Sequence, residues 1–305
     1  MREWGLSLVG LHEEEIRALA ENYPELNFEL SYNMRPDQLE TMAPILEHRV
    51  VSLHATCPRS RYFPNFASDN PCILTQGMDD IRRSIVTAKR YHASIMVLHP
   101  GYLCEEGMPS DKSARLSLLS KPLFQEHVAV REGSICDRKY PESDAYRKAM
   151  DRLTSHIGMV CRLCWNEGIS LAIENLNPRS GYLCMTPDDF AQLATVDHMC
   201  FCLDIGHLWV SHFAFGFDFL EAVRGMLATR KVVSCHVHAN PSDGHIWEDS
   251  HGDLDVNAAF PLQEALGAIV AEPVNCILET LSHPEHNIRI FQRFVQASQS
   301  FFICR

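Results

Sequence analysis

Histidine and acidic side chains recur at the ends of apolar runs in this 305-residue chain. Six runs end in His54, His99, Glu174, Asp204, His238 and Glu279, and the pairs "DIGH" and "EDSH" add His207, Asp249 and His251. Imidazole nitrogens and carboxylate oxygens are the donors that hold zinc, manganese or iron in proteins. Because a carboxylate is costly to bury without a partner, we expect these residues to form a divalent-metal site rather than unrelated caps and ion pairs.

The runs that carry these residues have the length and composition of β-strands. We predict eight strands, at 5–10, 26–31, 49–55, 93–100, 169–175, 199–205, 231–238 and 274–280. Segments with helical spacing alternate with them, and "NIRIFQRFVQASQSFF" closes the chain as a helix. Eight strand–helix units in series predict an α/β fold, a single (β/α)₈ TIM barrel domain over residues 1–305. In such a barrel the carboxyl ends of the strands share one face, so the nine residues above are expected to converge there.

Two connections in the predicted barrel are long, at 56–76 after the third strand and at 101–144 after the fourth. Both leave the carboxyl ends of strands, so we interpret them as substrate loops, with 101–144 as a candidate lid. Loops on this face also carry Arg59, Arg61 and Arg179. These arginines are candidates for binding an anionic substrate, and solvated loop charges are the alternative interpretation.

The composition limits the classes of partner. The formal net charge is -12 and no run of lysine and arginine is present, which argues against DNA as the main ligand. The apolar stretches are strand-sized, and "MREWGLSLVG" lacks the core of a signal peptide, so we expect a cytoplasmic protein with no membrane partner. The twelve cysteines are scattered, and "CRLC" at 161–164 falls on a predicted helix, which favours buried structural thiols over a redox pair.

The histidine-rich stretch at 232–251 contains two histidines on one strand face, His236 and His238. We expect His238, at the mouth of the barrel, to be a ligand, and His236, one layer lower, to be a supporting or core residue. His245 has no assigned role.

The ordered motifs "SLHA", "LHPG", "AIENLNP", "LDIGH", "HVHAN", "EDSH" and "LET" resemble the xylose isomerase-like barrel superfamily, which includes endonuclease IV and many sugar isomerases and epimerases. The resemblance extends over nearly the whole chain. Its endonuclease IV pattern implies three metals. The first would be bound by His54, His99 and Glu174, and the second by Glu174, Asp204, His238 and Glu279. The third would be bound by His207, Asp249 and His251.

Two activities follow from this resemblance. The complete ligand set implies a di- or trinuclear hydrolase of a small-molecule phosphodiester, such as the nucleotide loop of a corrinoid. A one-metal sugar or sugar-acid isomerase or epimerase needs only four ligands, with Glu174 and Glu279 as acid and base. The five additional ligands favour the hydrolase, with one to three zinc, manganese or iron ions per chain. A barrel that binds a ligand without turnover is the third alternative. The acidic charge and the 101–144 segment differ from endonuclease IV, so DNA is not the expected substrate.

Overall fold

The computed structural model describes residues 2–105, 107–255 and 259–303, with only the backbone described from 298 onward. Eight strands build the barrel: β1 (Trp4–Ser7), β2 (Asn27–Leu30), β3 (Val50–His54), β4 (Ile95–Leu98), β7 (Ser170–Glu174), β8 (Cys200–Asp204), β9 (Val232–Val237) and β10 (Asn275–Leu278). Two short strands, β5 (Val128–Val130) and β6 (Ile135–Cys136), lie outside it. The barrel closes in the order β1-β10-β9-β8-β7-β4-β3-β2, and every neighbouring pair is parallel. The predicted α/β barrel is therefore confirmed.

Helices surround the barrel, apart from the helix at Lys112–Leu119, which belongs to the segment between β4 and β5. They are α1 (Glu13–Asn22), α2 (Pro36–Leu46), α3 (Pro71–Arg90), α4 (Lys112–Leu119), α5 (Asp144–Asn166), α6 (Pro187–Leu193), α7 (Ile205–Phe215), α8 (Phe219–Ala228), α9 (Leu262–Val270) and α10 (Pro284–Ile303). In the described part of the chain, none is long and apolar enough to cross a membrane. Cys161 and Cys164 lie on the buried side of α5, and burial raises the pKa of both thiols to about 12. Both therefore stay protonated, as the structural interpretation of "CRLC" requires.

The connection after β3 is shorter than the sequence suggested, because α3 begins at Pro71. The Asn70 side chain caps this helix by accepting a hydrogen bond from the Cys72 amide at 2.9 Å. An asparagine N-cap followed by proline is a helix start signal, and the sequence interpretation overlooked it.

The 101–144 segment is folded rather than an extended loop. It contains α4 and the antiparallel hairpin of β5 and β6. Its first part is tied to the β3 connection, where the Phe63 amide donates to the Met108 carbonyl at 2.9 Å. Its second part is tied to the β7 connection, where the Cys136 amide donates to the Pro178 carbonyl at 2.7 Å. We call residues 101–144 the insertion; these two attachments hold it across the carboxyl ends of neighbouring strands.

Candidate metal centre

Histidine and carboxylate side chains meet where the barrel strands end. Three groups place one donor atom per residue within 4.8 Å of one another: His54, His99 and Glu174; Glu174, Asp204, His236 and Glu279; and His207, His238, Asp249 and His251. All nine sequence-predicted ligands belong to one of these groups. The groups differ from the expected sets because His236 joins the central carboxylates and His238 joins the third group.

Glu174 joins the first group to the second. It is the last residue of β7 and is 1% exposed. Its Oε2 lies 3.0 Å from His54 Nε2 and 3.2 Å from His99 Nε2. Its Oε1 lies 3.3 Å from His207 Nδ1, on the other side. The two oxygens of one carboxylate therefore face different histidines, and Glu174 is common to the first and second donor groups, as a bridging ligand would be.

Electrostatics keep this carboxylate ionised despite its burial. Burial raises the pKa of Glu174, but the neighbouring His99 and His236 outweigh it and hold the pKa well below its usual range. Burial lowers the pKa of His99 to about 4, so that its imidazole is neutral at pH 7. A charged carboxylate beside a neutral imidazole is the protonation state that metal binding requires.

Asp204 is fixed by the helix that follows it. It ends β8 and caps α7, where its Oδ1 accepts a hydrogen bond from the His207 amide at 2.6 Å. The Asn175 side chain bonds both backbone groups of Asp204, donating to the carbonyl at 2.7 Å and accepting from the amide at 2.8 Å. The Asp-x-x-His spacing therefore places the carboxylate and His207 on one helical turn.

Gly206 makes room for His238. A Cβ atom at Gly206 would lie well inside van der Waals contact with the His238 ring. This close approach lets His238 Nε2 come within 3.1 Å of Asp204 Oδ1 and 3.2 Å of Asp204 Oδ2. The glycine in "DIGH" is thus a steric requirement of the site.

Asp249 and His251 enter the site from the loop after β9. The His251 ring stacks on the His238 ring with centroids 3.9 Å apart, and His251 Nε2 lies 3.4 Å from Asp249 Oδ1. Burial raises the pKa of Asp249, but His251 and His207 outweigh it and hold the pKa below its usual range. The loop is held by Asn240, whose side-chain oxygen accepts from the Ser250 and His251 amides at 2.7 and 3.2 Å.

His236 lies beneath the mouth, fully buried between two glutamates. Its Nε2 is 3.0 Å from Glu29 Oε1 and its Nδ1 is 3.0 Å from Glu279 Oε2. Glu29 also accepts a hydrogen bond from the Ser52 hydroxyl at 2.7 Å. Burial lowers the pKa of His236, but acidic neighbours, Glu29 and Glu279 among them, outweigh it and raise the pKa well above its usual value. His236 thus lies among the central carboxylates, and its expected role as a supporting residue rather than a ligand stays a prediction.

Ring orientation shows that the histidines suit a metal. His54 Nδ1 lies 3.1 Å from the Ala55 carbonyl, and His251 Nδ1 lies 3.0 Å from the Glu279 carbonyl. Each Nδ1 therefore carries the proton in the neutral ring, and the Nε2 lone pair faces a carboxylate. Two acceptors facing each other require a proton or a cation between them. Because metal-binding histidines commonly donate their other nitrogen in this way, the donor set fits divalent metal ions.

The three predicted substrate arginines lie in loops around this face. Arg59 and Arg61 are exposed, and Arg59 makes a 3.5 Å salt bridge with Asp111 of the insertion. Arg179 is half-buried, donates from Nε to the Gly133 carbonyl at 3.0 Å, and lies over the Tyr182 ring. Their role in substrate binding remains a prediction. His245 is exposed.

Sequence reasoning missed residues that act through these ligands. Asn175 directly follows Glu174 and Asn240 lies two residues after His238, and this closeness to a predicted ligand was their only signal. Glu29 does not lie at the end of a recognisable sequence motif, and its partners Ser52 and His236 are distant in the chain. Arg115 lies in the middle of the insertion, where no strand end marked it.

The fold and these clusters define a TIM barrel with groups that could hold metal ions at the carboxyl ends of its strands. The chain belongs to the xylose isomerase-like TIM barrel family, whose profile matches residues 14–294.

Solved structures share the fold over almost the full length. A D-tagatose 3-epimerase-like protein is 18% identical with a TM-score of 0.69, and 98% of this chain and 99% of that chain are covered. An L-ribulose 3-epimerase is 12% identical with a TM-score of 0.65, covering 100% and 98%. Endonuclease IV from Thermus thermophilus is 14% identical with a TM-score of 0.59, covering 97% and 99%. A search of curated proteins finds no match.

Proposed function

We propose that this protein is a metal-dependent hydrolase of a small-molecule phosphodiester. The supporting observation is the position of Glu174, whose two oxygens face different histidines across two donor groups. A one-metal epimerase needs a glutamate with a free oxygen to accept a proton from carbon. Both oxygens of Glu174 are already surrounded by imidazoles, which suits a carboxylate that bridges metals.

In such a hydrolase, different sets of residues would hold different metal ions. His54, His99 and Glu174 would hold one ion, and His207, Asp249 and His251 a third. Glu174, Asp204 and Glu279 would hold the second together with His238, which is grouped with the third set but whose Nε2 lies 3.1 Å from Asp204 Oδ1. Bound divalent ions would supply Lewis acidity that neutralises phosphoryl charge and lowers the pKa of a water nucleophile. The chain's own contribution is to fix several of these residues through hydrogen bonds, as Asn175 does for the backbone of Asp204 and the Glu279 carbonyl does for His251. Preorganised donors lose no reorganisation energy during the reaction.

The shape and charge of the face favour a small substrate. The insertion lies across the carboxyl ends of β3, β4 and β7, and its attachments to neighbouring loops narrow the approach. Binding to duplex DNA depends on cationic side chains that replace the counterions of the phosphates. A net charge of -12 is therefore unfavourable for binding DNA. A compact phosphodiester held under the insertion agrees with both features.

The second candidate function is a one-metal sugar or sugar-acid isomerase or epimerase. It is favoured by the structural likeness to a D-tagatose 3-epimerase-like protein and an L-ribulose 3-epimerase. In that reaction Glu174 and Glu279 would move a carbon-bound proton from one face of the sugar to the other.

An assay of both reactions on the same preparation separates the two functions. Protein loaded with zinc or manganese is incubated with bis(p-nitrophenyl) phosphate and, separately, with a panel of ketoses in deuterated water. The hydrolase proposal expects metal-dependent release of nitrophenol and no deuterium in the recovered sugars. Deuterium exchange at a sugar carbon without nitrophenol release would replace it with the epimerase. The absence of both reactions would favour a binding role.

A further inference from the structure

Arg115 reaches the candidate site from the insertion. It lies on α4 and is 7% exposed. Its guanidinium carbon is 5.4 Å from the centre of the Phe63 ring, and that ring lies 5.4 Å from the His99 ring. Tyr32, which forms a side-chain hydrogen bond with Arg115, lies 5.4 Å from the His54 ring. The guanidinium is therefore one aromatic ring away from the first histidine pair.

Among the described residues no carboxylate forms a salt bridge with Arg115, although Asp111, four residues earlier, is near enough for the guanidinium to help lower the pKa of that carboxyl. Arg115 Nη1 donates to the Pro109 and Ser110 carbonyls at 2.9 and 3.0 Å, which fixes the side chain in the insertion. Its Nε is buried and bonds nothing in the described part of the chain. The ionisable groups that act most strongly on its pKa are the hydroxyls of Tyr182, Tyr32 and Tyr102.

A buried, unpaired arginine requires an explanation. Arginine stays charged inside proteins, and a buried charge without a counter-ion is strongly destabilising. The backbone carbonyls and the tyrosine hydroxyls offset part of this cost, but the Nε donor of the guanidinium group still has no acceptor. An anionic ligand that enters the site would complete it with charge-assisted hydrogen bonds.

We propose that Arg115, with the hydroxyl of Tyr32, binds a second anionic group of the substrate, a carboxylate or a phosphate, beside the reacting phosphodiester. This inference rests on the proposed function and narrows its substrate class to compounds with two negative centres. The Tyr32 hydroxyl accepts from Arg115 and still has its own proton to donate to the ligand.

Arg115 differs from the arginines that the sequence singled out. Arg59 is exposed and already paired with Asp111, and Arg61 is exposed beside Tyr62. Arg179 already donates its Nε to a carbonyl. Only an enclosed donor without a partner gains the full strength of a new charge-assisted bond.

The test compares three p-nitrophenyl phosphodiesters on the full-length, zinc-loaded protein. One carries an ethyl group, and the others carry the same group extended by a carboxylate or by a phosphate. We expect at least one charged ester to have a higher kcat/KM than the ethyl ester, and we call the ratio of the two values the preference. The charged ester with the larger preference shows whether the bound anion is a carboxylate or a phosphate. Arg115→Gln keeps donors for the insertion carbonyls but removes the charge, and is expected to reduce that preference by about ten- to a hundredfold. Because the preference is a ratio of two kcat/KM values, a general loss of activity in the variant does not change it.

Two further variants control the test. Arg49→Met removes a half-buried arginine that bonds backbone carbonyls at the opposite end of β3, and should leave the preference unchanged. Arg115→Lys keeps the charge without the planar fork and should retain part of the preference. Where Arg115→Gln does not fold, Arg115→Lys decides: a reduced preference supports the inference, and an unchanged one overturns it.

The outcomes separate this inference from the proposed function. Hydrolysis of the ethyl ester without a preference for charged esters, or with a preference that survives Arg115→Gln, overturns the inference alone. If no ester reacts, the hydrolase proposal fails. Calorimetric titration with inorganic phosphate and acetate then decides the inference. An affinity that falls about tenfold or more in Arg115→Gln supports it, and equal affinity in both proteins overturns it.

Discussion

His54 and Glu174 face each other as two acceptors: His54 Nε2 lies 3.0 Å from Glu174 Oε2, while His54 Nδ1 is bonded to the Ala55 carbonyl. In the metal-free protein a proton must occupy the gap between them. Burial lowers the pKa of His54, but Glu174 outweighs it and the pKa is raised. A metal ion in the same place would displace that proton.

Metal binding is therefore expected to release protons at neutral pH. Burial lowers the pKa of His207, but Asp204 and Asp249 outweigh it and raise the pKa well above its usual value, so His207 binds a proton before metal enters. The pKa of His54 is raised as well. His99 and His251 have lowered pKa values and release none. Calorimetry of zinc binding in buffers of different ionisation enthalpy should show a net release of protons at pH 7. Metal affinity should fall as the pH falls; an affinity independent of pH would contradict this account.

Replacing His238 and replacing His236 should have different effects. His238→Ala removes a donor that contacts both oxygens of Asp204, so the metal content should fall. His236→Ala should leave the metal content unchanged but lower the free energy of unfolding, because it opens a cavity between Glu29 and Glu279. Elemental analysis and urea unfolding measure the two effects. Loss of metal from His236→Ala alone would make His236 the ligand instead.

A single methyl group at Gly206 should weaken the site. In Gly206→Ala the new Cβ pushes the His238 ring away from Asp204, and zinc affinity should fall by about ten- to a hundredfold. Gly225→Ala is the matched control, because it lies inside α8 with nothing near its added Cβ. That control should keep full zinc affinity and gain up to about 1 kcal/mol of stability. Chelator competition gives both affinities, and equal values would exclude the steric role of Gly206.

Asn175 should contribute to stability as well as to the site. Asn175→Ala leaves the amide and carbonyl of Asp204 buried without partners, which should cost about 1–3 kcal/mol of unfolding free energy. Asn166→Ala, at the exposed end of α5, should cost little. Urea unfolding of both variants tests this. A similar cost in the two variants would mean that Asn175 does not hold Asp204.

The sequence predicted the barrel well because each strand is a short, largely apolar run that ends at a polar residue or directly before one. Glu174 and Asp204 show why: each is the last residue of its strand, and parallel strands end at one face of the barrel. The insertion was harder to predict, since α4 and the β5–β6 hairpin are too short to give a clear periodicity.

The supporting residues of the site escaped prediction for a different reason. Glu29 and Arg115 acquire their partners only through tertiary contacts, with Ser52 and His236 in one case and Tyr32 in the other. Neither is marked by spacing from a ligand. The grouping of His236 with the central carboxylates likewise depends on how far each strand reaches into the mouth, which the sequence pattern does not specify.

Counting metal ions per chain tests the central claim most directly. Purified protein, His54→Ala and His251→Ala are saturated with zinc, desalted, and analysed for metal and protein concentration. The trinuclear proposal expects about three ions per wild-type chain and about one fewer in each variant, because the two histidines belong to different donor groups. A content near one ion that neither substitution changes would contradict the multi-metal hydrolase.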